Sequence, residues 1–333
     1  MKSVFICENS ETVKNVYNEN IVCLLEKTSG LDKNIYSKRD ILDAPYKFKD
    51  TEYIFSTWGM PKFSKEEISE CFPLLKCVFY AAGTVQAFAR PFLENNVKVF
   101  SAWAANAVPV AEYTSAQIIL ANKGFFKVIR ETSSGNYEQA RKEFFYYRGN
   151  YGAKVGIIGA GMIGKLVIKS LQSHKLNISV FDPFLDDSEA DSLKVKKCGL
   201  EEIFSDCRVI SNHLADNENT KGMLDGKLFS KMLPYSVFIN TGRGAQVVES
   251  DLINTLEARP DLTAVLDVTD PEPPVPSSRL YGLENCILTP HIAGSSGDEV
   301  HRMAEYMAEE FSVYISGGKN RYEVTLKMLE TMA

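Results

Sequence analysis

Three residues in the second half of the chain are of the kinds that exchange protons or grip carboxylates, and each follows an apolar run. Arg243 lies in Phe238-Ile239-Asn240-Thr241-Gly242-Arg243-Gly244, where flanking glycines leave its planar guanidinium room to reach a carboxylate. Glu272 lies in Asp267-Val268-Thr269-Asp270-Pro271-Glu272-Pro273, and His291 in Thr289-Pro290-His291-Ile292-Ala293-Gly294. A lone histidine among apolar neighbours is commonly a packed residue. A histidine with a carboxylate available is different, because the carboxylate fixes its tautomer and makes it an acid–base near neutral pH.

A fourth feature is the glycine spacing of Val155-Gly156-Ile157-Ile158-Gly159-Ala160-Gly161-Met162-Ile163-Gly164. Gly159 allows a tight turn out of an apolar strand, Gly161 lets a pyrophosphate approach the backbone, and Gly164 lets the next helix pack on the sheet. The open amides at the start of that helix, at Met162 and Ile163, suit phosphate oxygens. Eighteen residues past Gly164, the strand Ser179-Val180-Phe181 ends in Asp182. A carboxylate there accepts from ribose hydroxyls and repels a 2′-phosphate, which points to NAD over NADP.

Strand-like segments must position these groups. Short apolar runs at 3–7, 53–57, 77–81 and 97–100 alternate with helix candidates near 11–27 and 64–75. A long helix is expected from Ala107 to Lys123, with Pro109 in its first turn. The stretch 133–150, with Phe144-Phe145-Tyr146-Tyr147, reads as an irregular excursion whose aromatic residues suit either a dimer interface or local core. Strand candidates at 154–158, 178–181, 208–211, 237–240, 264–266 and 287–288 make a second series. A helix carrying Val300, Met303, Met307 and Phe311 follows. Alternation of this kind predicts parallel sheets covered on both faces.

Composition narrows the classes. The 333 residues are 45% hydrophobic and 24% charged, ordinary for a globular chain of about two domains. The net charge is −6 and no basic block occurs, which argues against a nucleic-acid partner. No apolar stretch is long enough to span a membrane. Seven cysteines without a C-x-x-C spacing suggest reduced thiols in a cytoplasmic protein and no metal site.

Taken in order, the glycine loop, Asp182, Asn240-Thr241-Gly242-Arg243-Gly244, Glu272-Pro273 and Thr289-Pro290-His291-Ile292-Ala293-Gly294 resemble the D-isomer-specific 2-hydroxyacid dehydrogenases. Asn106-Ala107-Val108-Pro109-Val110-Ala111-Glu112 matches that family's entry to a long helix, and His213 with Thr220 matches a nucleotide-side motif, with Ala215 where proline is common. The resemblance runs from about Cys77 to Ile315. It implies an α/β chain in which a Rossmann NAD-binding domain, 105–293, is inserted into a smaller flavodoxin-like parallel-sheet domain formed by 1–104 plus 294–333. It implies Arg243, Glu272 and His291 as the catalytic set. On the nucleotide side it implies the glycine loop, Asp182, His213, Thr220, Thr241, Asp267 and Gly294. Backbone amides near Ala82, Gly83 and Thr84 would meet the substrate carboxylate beside Arg243 and His291.

The activity implied is hydride transfer between NADH and C2 of a 2-keto acid or D-2-hydroxy acid by a homodimeric oxidoreductase. The alternative is an NAD(H)-sensing, corepressor-like scaffold with little catalysis. Trp58 and Trp103 are candidates for substrate contact or for packing.

Overall fold

The chain carries two sheets, one parallel throughout and one parallel but for an edge strand, and the computed structural model describes residues 1–330. Its strands begin with β1 (Ser3–Ile6), β2 (Leu31–Tyr36), β3 (Tyr53–Ser56), β4 (Cys77–Tyr80) and β5 (Lys98–Ser101). They continue with β6 (Lys154–Ile158), β7 (Asn177–Phe181), β8 (Lys196–Lys197) and β9 (Val209–Asn212). The last are β10 (Val237–Asn240), β11 (Thr263–Leu266), β12 (Cys286–Leu288) and β13 (Glu323–Val324). Two units result, Met1–Asn106 with Ser295–Ala333, and Ala107–Gly294. Residues 331–333 of the expected outer segment lie outside the described residues.

The first unit holds a sheet in the order β13-β5-β4-β3-β1-β2. Strands β1 to β5 pair in parallel, in the order of flavodoxin-like sheets, whereas β13 joins β5 antiparallel at one edge. The inner strands read as unbroken apolar runs because both faces are covered. Phe79 stacks on Phe55 and Phe100, and helix His301–Ile315 sets Phe311 edge-on against the first two.

The single helix expected over 11–27 is two, Ser10–Val16 and Glu19–Ser29, because Asn18 accepts the Ile21 amide and caps a new helix. Strand β2 was not foreseen. Its sequence, Leu-Asp-Lys-Asn-Ile-Tyr, is polar because it forms an edge with one neighbour.

The second unit holds a seven-stranded sheet, β12-β11-β10-β9-β6-β7-β8, parallel throughout. The two lysines of β8 gave no apolar signal. The long helix starts at Trp103 and ends at Asn122, so Pro109 lies inside it and not in its first turn. In place of an irregular excursion, helices Phe125–Ser133 and Tyr137–Phe144 form a hairpin in this unit. Among the described residues, no helix is long and apolar enough to cross a membrane.

Candidate active site

Register explains why distant residues meet. Phe181, Ile158, Asn212, Asn240, Leu266 and Leu288 are successive partners across β7, β6, β9, β10, β11 and β12. The residues that follow them are Asp182, Gly159, His213, Thr241, Asp267 and Thr289. Every motif of the second half therefore leaves the sheet at one carboxyl edge, where ligands of open α/β sheets bind.

At the glycine loop, Gly159 has φ +93°, and a Cβ there would stand 2.6 Å from the carbonyl oxygen of His213. A Cβ on Gly164 would stand 2.0 Å from the Gly159 carbonyl oxygen, so both glycines are required by packing. Gly161 differs. Nothing lies within 4 Å of its Cβ position, and no side chain caps the helix that begins at Met162. This leaves an open approach to the first amides, Met162 and Ile163, with a cradle shaped for a diphosphate. Asp182 accepts the Ala160 amide on Oδ2 at 2.6 Å and the Phe184 amide on Oδ1 at 2.8 Å. Each oxygen retains a lone pair for a ribose hydroxyl, so these residues fit a dinucleotide.

His291 and Glu272 form a pair, with Nδ1 2.7 Å from Oε1 and both side chains a little over 40% exposed. Because Glu272 accepts from Nδ1–H, Nε2 remains free to carry a proton. His291 has φ +56°, a left-handed conformation unusual for a residue with a side chain. Asp267 holds it there. The Asp267 carboxylate, 2% exposed, accepts the amides of Ile292 and Ala293 at 2.8 and 2.9 Å and the Thr289 hydroxyl at 2.6 Å. Its carbonyl accepts the His291 amide. Asp267, expected at the nicotinamide side, thus braces the histidine loop from within.

Arg243 donates Nη1 to the Gly242 carbonyl at 2.8 Å, and among the described residues it pairs with no carboxylate. Its loop is fixed by a buried amide network that was not singled out in the sequence. Asn212 Nδ2 donates to Asn240 Oδ1 and Gln246 Oε1, and those same oxygens accept the amides of Gly242 and Arg243. The available signal was polar residues ending fully apolar strands.

Other expected residues have local partners. The Thr220 hydroxyl donates to the Ala215 carbonyl at 2.6 Å and closes its own loop, and the Thr241 hydroxyl lies 3.0 Å from that of Thr114. His213 is 8% exposed, with Nε2 2.9 Å from the Ser211 hydroxyl, and burial pushes it down to about 3, so it is neutral. Gly294 closes the histidine loop and is half-buried.

In the first unit, the carbonyls of Ala81, Ala82 and Gly83 accept hydroxyls from Thr57 and Ser101. The amides of Gly83 and Thr84 have no partner among the described residues. Trp103 sets its ring edge-on to Tyr322, and Trp58 is partly exposed after β3. All seven cysteines are free, and among the described residues no cluster of His, Cys, Asp and Glu could hold a metal.

An open parallel sheet with a glycine loop and an acidic residue at its carboxyl edge defines a dinucleotide-binding α/β protein. Residues 115–293, more than half of the chain, match the family described as D-isomer specific 2-hydroxyacid dehydrogenase, NAD binding domain, and the chain belongs to that family. It is 28% identical over 237 residues to a D-3-phosphoglycerate dehydrogenase of Archaeoglobus fulgidus, covering 71% of this chain and 44% of that one. It is 32% identical over 217 residues to a putative 2-hydroxyacid dehydrogenase of Bacillus subtilis, covering 61% and 59%. The chain thus spans about half the length of these relatives. The apo D-mandelate dehydrogenase of Rhodotorula graminis shares the fold, with a TM-score of 0.82, 19% identity and 97% of each chain covered.

Proposed function

We propose that this chain is an NAD-dependent D-2-hydroxyacid dehydrogenase that interconverts a 2-keto acid and the corresponding 2-hydroxy acid. The observation that carries this reading is the Glu272–His291 pair on the carboxyl edge that also bears the diphosphate cradle. The dinucleotide, when bound, supplies or accepts the hydride.

His291 Nε2 donates a proton to the carbonyl oxygen during reduction and removes it during oxidation. Glu272 accepts from Nδ1–H and orients the ring. Arg243, without a carboxylate of its own, binds that of the substrate and stabilises negative charge developing beside it. In the first unit, the amides of Gly83 and Thr84, next to Ala82, are without a partner among the described residues and are donors of the kind a carboxylate takes. Met162, Ile163 and the glycines hold the diphosphate. Asp182 takes the ribose, and His213, Thr220, Thr241, Asp267 and Gly294 shape the nucleotide side from behind.

The protein acts as a homodimer in the cytoplasm. Helix Phe125–Ser133 is amphipathic yet buries no residue, and Phe145 beyond the hairpin is 77% exposed, so a second copy covers this apolar face.

The test follows NADH absorbance with pyruvate, glyoxylate, hydroxypyruvate, 2-ketoisocaproate and phenylpyruvate, each repeated with NADPH. Turnover with NADH is expected, and His291→Gln is expected to lower kcat by about a hundredfold to ten-thousandfold. A preference for NADPH would overturn the role given to Asp182. Binding of NADH without turnover of any acid would leave the nucleotide-sensing reading in its place.

A further inference from the structure

Strand β5 ends at Ser101, and its register partner Tyr80 ends β4. The Ser101 side chain is buried. Its Oγ lies 2.9 Å from the Ala82 carbonyl oxygen and 2.5 Å from that of Gly83, so one hydroxyl proton is shared between two carbonyls of the turn that leaves β4. The Ala82 carbonyl also accepts the Ala102 amide at 3.0 Å. The Gly83 carbonyl accepts from no other donor among the described residues.

A trans peptide is planar, with its C=O and N–H pointing in opposite directions. The carbonyls of Ala82 and Gly83 belong to the two peptides whose amides are those of Gly83 and Thr84. Both carbonyls turn toward Ser101, so both amides leave the turn on the side away from it. Neither amide has a partner among the described residues. The preceding peptide differs. Thr57 donates its hydroxyl to the Ala81 carbonyl at 2.8 Å, but the amide of that peptide, at Ala82, donates to the Tyr80 carbonyl at 2.9 Å. Ser101 thus holds the two peptides that have a donor to offer, and Thr57 holds one that has none. The space beside Gly83 is open. Among the described residues, a Cβ there would meet within 4 Å, chain neighbours aside, just the Asn106 side-chain nitrogen at 3.7 Å, itself a donor.

We infer that Ser101 is a positioning residue: its buried hydroxyl fixes the two peptide planes that aim the Gly83 and Thr84 amides at a carboxylate. The inference rests on the dehydrogenase reading for identifying that carboxylate as the substrate's. It rests on hydrogen-bond geometry for the setting of the amides. Ser101 touches no substrate, because its hydroxyl is engaged by the two carbonyls, and its effect passes through the turn.

The test uses the full chain with Ser101→Ala, Ser101→Cys and Thr57→Val. Two readouts are taken, steady-state kinetics and the backbone amide resonances of Gly83 and Thr84 in isotope-labelled protein. Ser101→Ala is expected to raise KM for the 2-keto acid about tenfold, with kcat and NADH affinity within about twofold of wild type. The Thr84 amide resonance should move most, since the Gly83 carbonyl loses its donor. The Gly83 amide should move less, since Ala102 still holds the Ala82 carbonyl. Ser101→Cys keeps a weaker donor and should raise KM about threefold, which decides the matter if Ser101→Ala does not fold. Thr57→Val removes a hydrogen bond of the same kind from the neighbouring peptide and should leave KM within about twofold of wild type. An unchanged KM in the folded Ser101 variants, or an equal rise in Thr57→Val, would overturn the inference. Should wild type reduce none of the acids, the dehydrogenase reading fails and the resonances alone decide. Unmoved in the folded Ser101 variants, they refute the role given to Ser101.

Discussion

Asp267, proposed for the nucleotide side, also braces the histidine loop. Its two oxygens hold two backbone amides and a hydroxyl of the histidine loop, so their alternative partners are few once the strand is buried. Asp267→Asn leaves at least one donor unpaired and is expected to cost roughly 1–3 kcal/mol, read as a lower urea midpoint, with kcat falling alongside. His213 makes a second test at this scale. Unfolding returns its imidazole to an ordinary value of 6.5 from about 3, so below pH 6.5 the unfolded chain takes up a proton that the folded chain refuses. The stability tied to His213 is complete above that pH and is lost as pH falls toward 3, by up to about 1.4 kcal/mol per pH unit. Urea unfolding of His213→Gln between pH 6 and 4 should therefore show a shallower dependence on pH than wild type. Matching slopes would mean that water reaches the ring. Arg243, Glu272 and His291 were legible as types in apolar contexts. Asn212, Gln246 and the bracing by Asp267 were not, because their roles arise from the register of strands far apart in sequence.

The elements were legible where burial imposed an unbroken apolar run, as in β1, β3, β4, β6 and β10. They were illegible where an edge or a cap decided the outcome. Strand β2 carries polar residues because water meets it, and the break between the first two helices depends on one asparagine side chain. The diphosphate loop allows a test that separates packing from binding. Gly159→Ala forces a side chain into a left-handed turn against the His213 carbonyl, and loss of folded protein is expected. Gly161→Ala meets open space at φ −69°, so its stability should lie within about 0.5 kcal/mol of wild type. Its NADH dissociation constant, by fluorescence titration, should nonetheless rise at least about tenfold, a loss of about 1.4 kcal/mol. Equal losses of binding and stability would mean that the loop serves the fold alone.

For the whole molecule, two sheets of different strand order share one chain, and the second is formed by contiguous residues while the first is not. The hairpin of the second unit carries the proposed dimer contact. Phe145→Glu is expected to convert a dimer to a monomer by light scattering while leaving the secondary structure intact. A wild-type monomer at micromolar concentration would refute the interface. The hairpin was hidden in the sequence because the residues of 133–150 follow no clean period.

Strand β13 and helix His301–Ile315 complete the first sheet from the far end of the chain. During synthesis, β1 to β5 leave the ribosome long before the helix that shields Phe55 and Phe79, and all of the second unit must be made in between. The second unit can close as soon as its own residues emerge, whereas the first waits with aromatic surface uncovered, a state prone to aggregation. Nascent chains stalled with residue 300 outside the exit tunnel should thus protect the second unit from protease and leave the first cleavable. Extension past residue 324 should protect both.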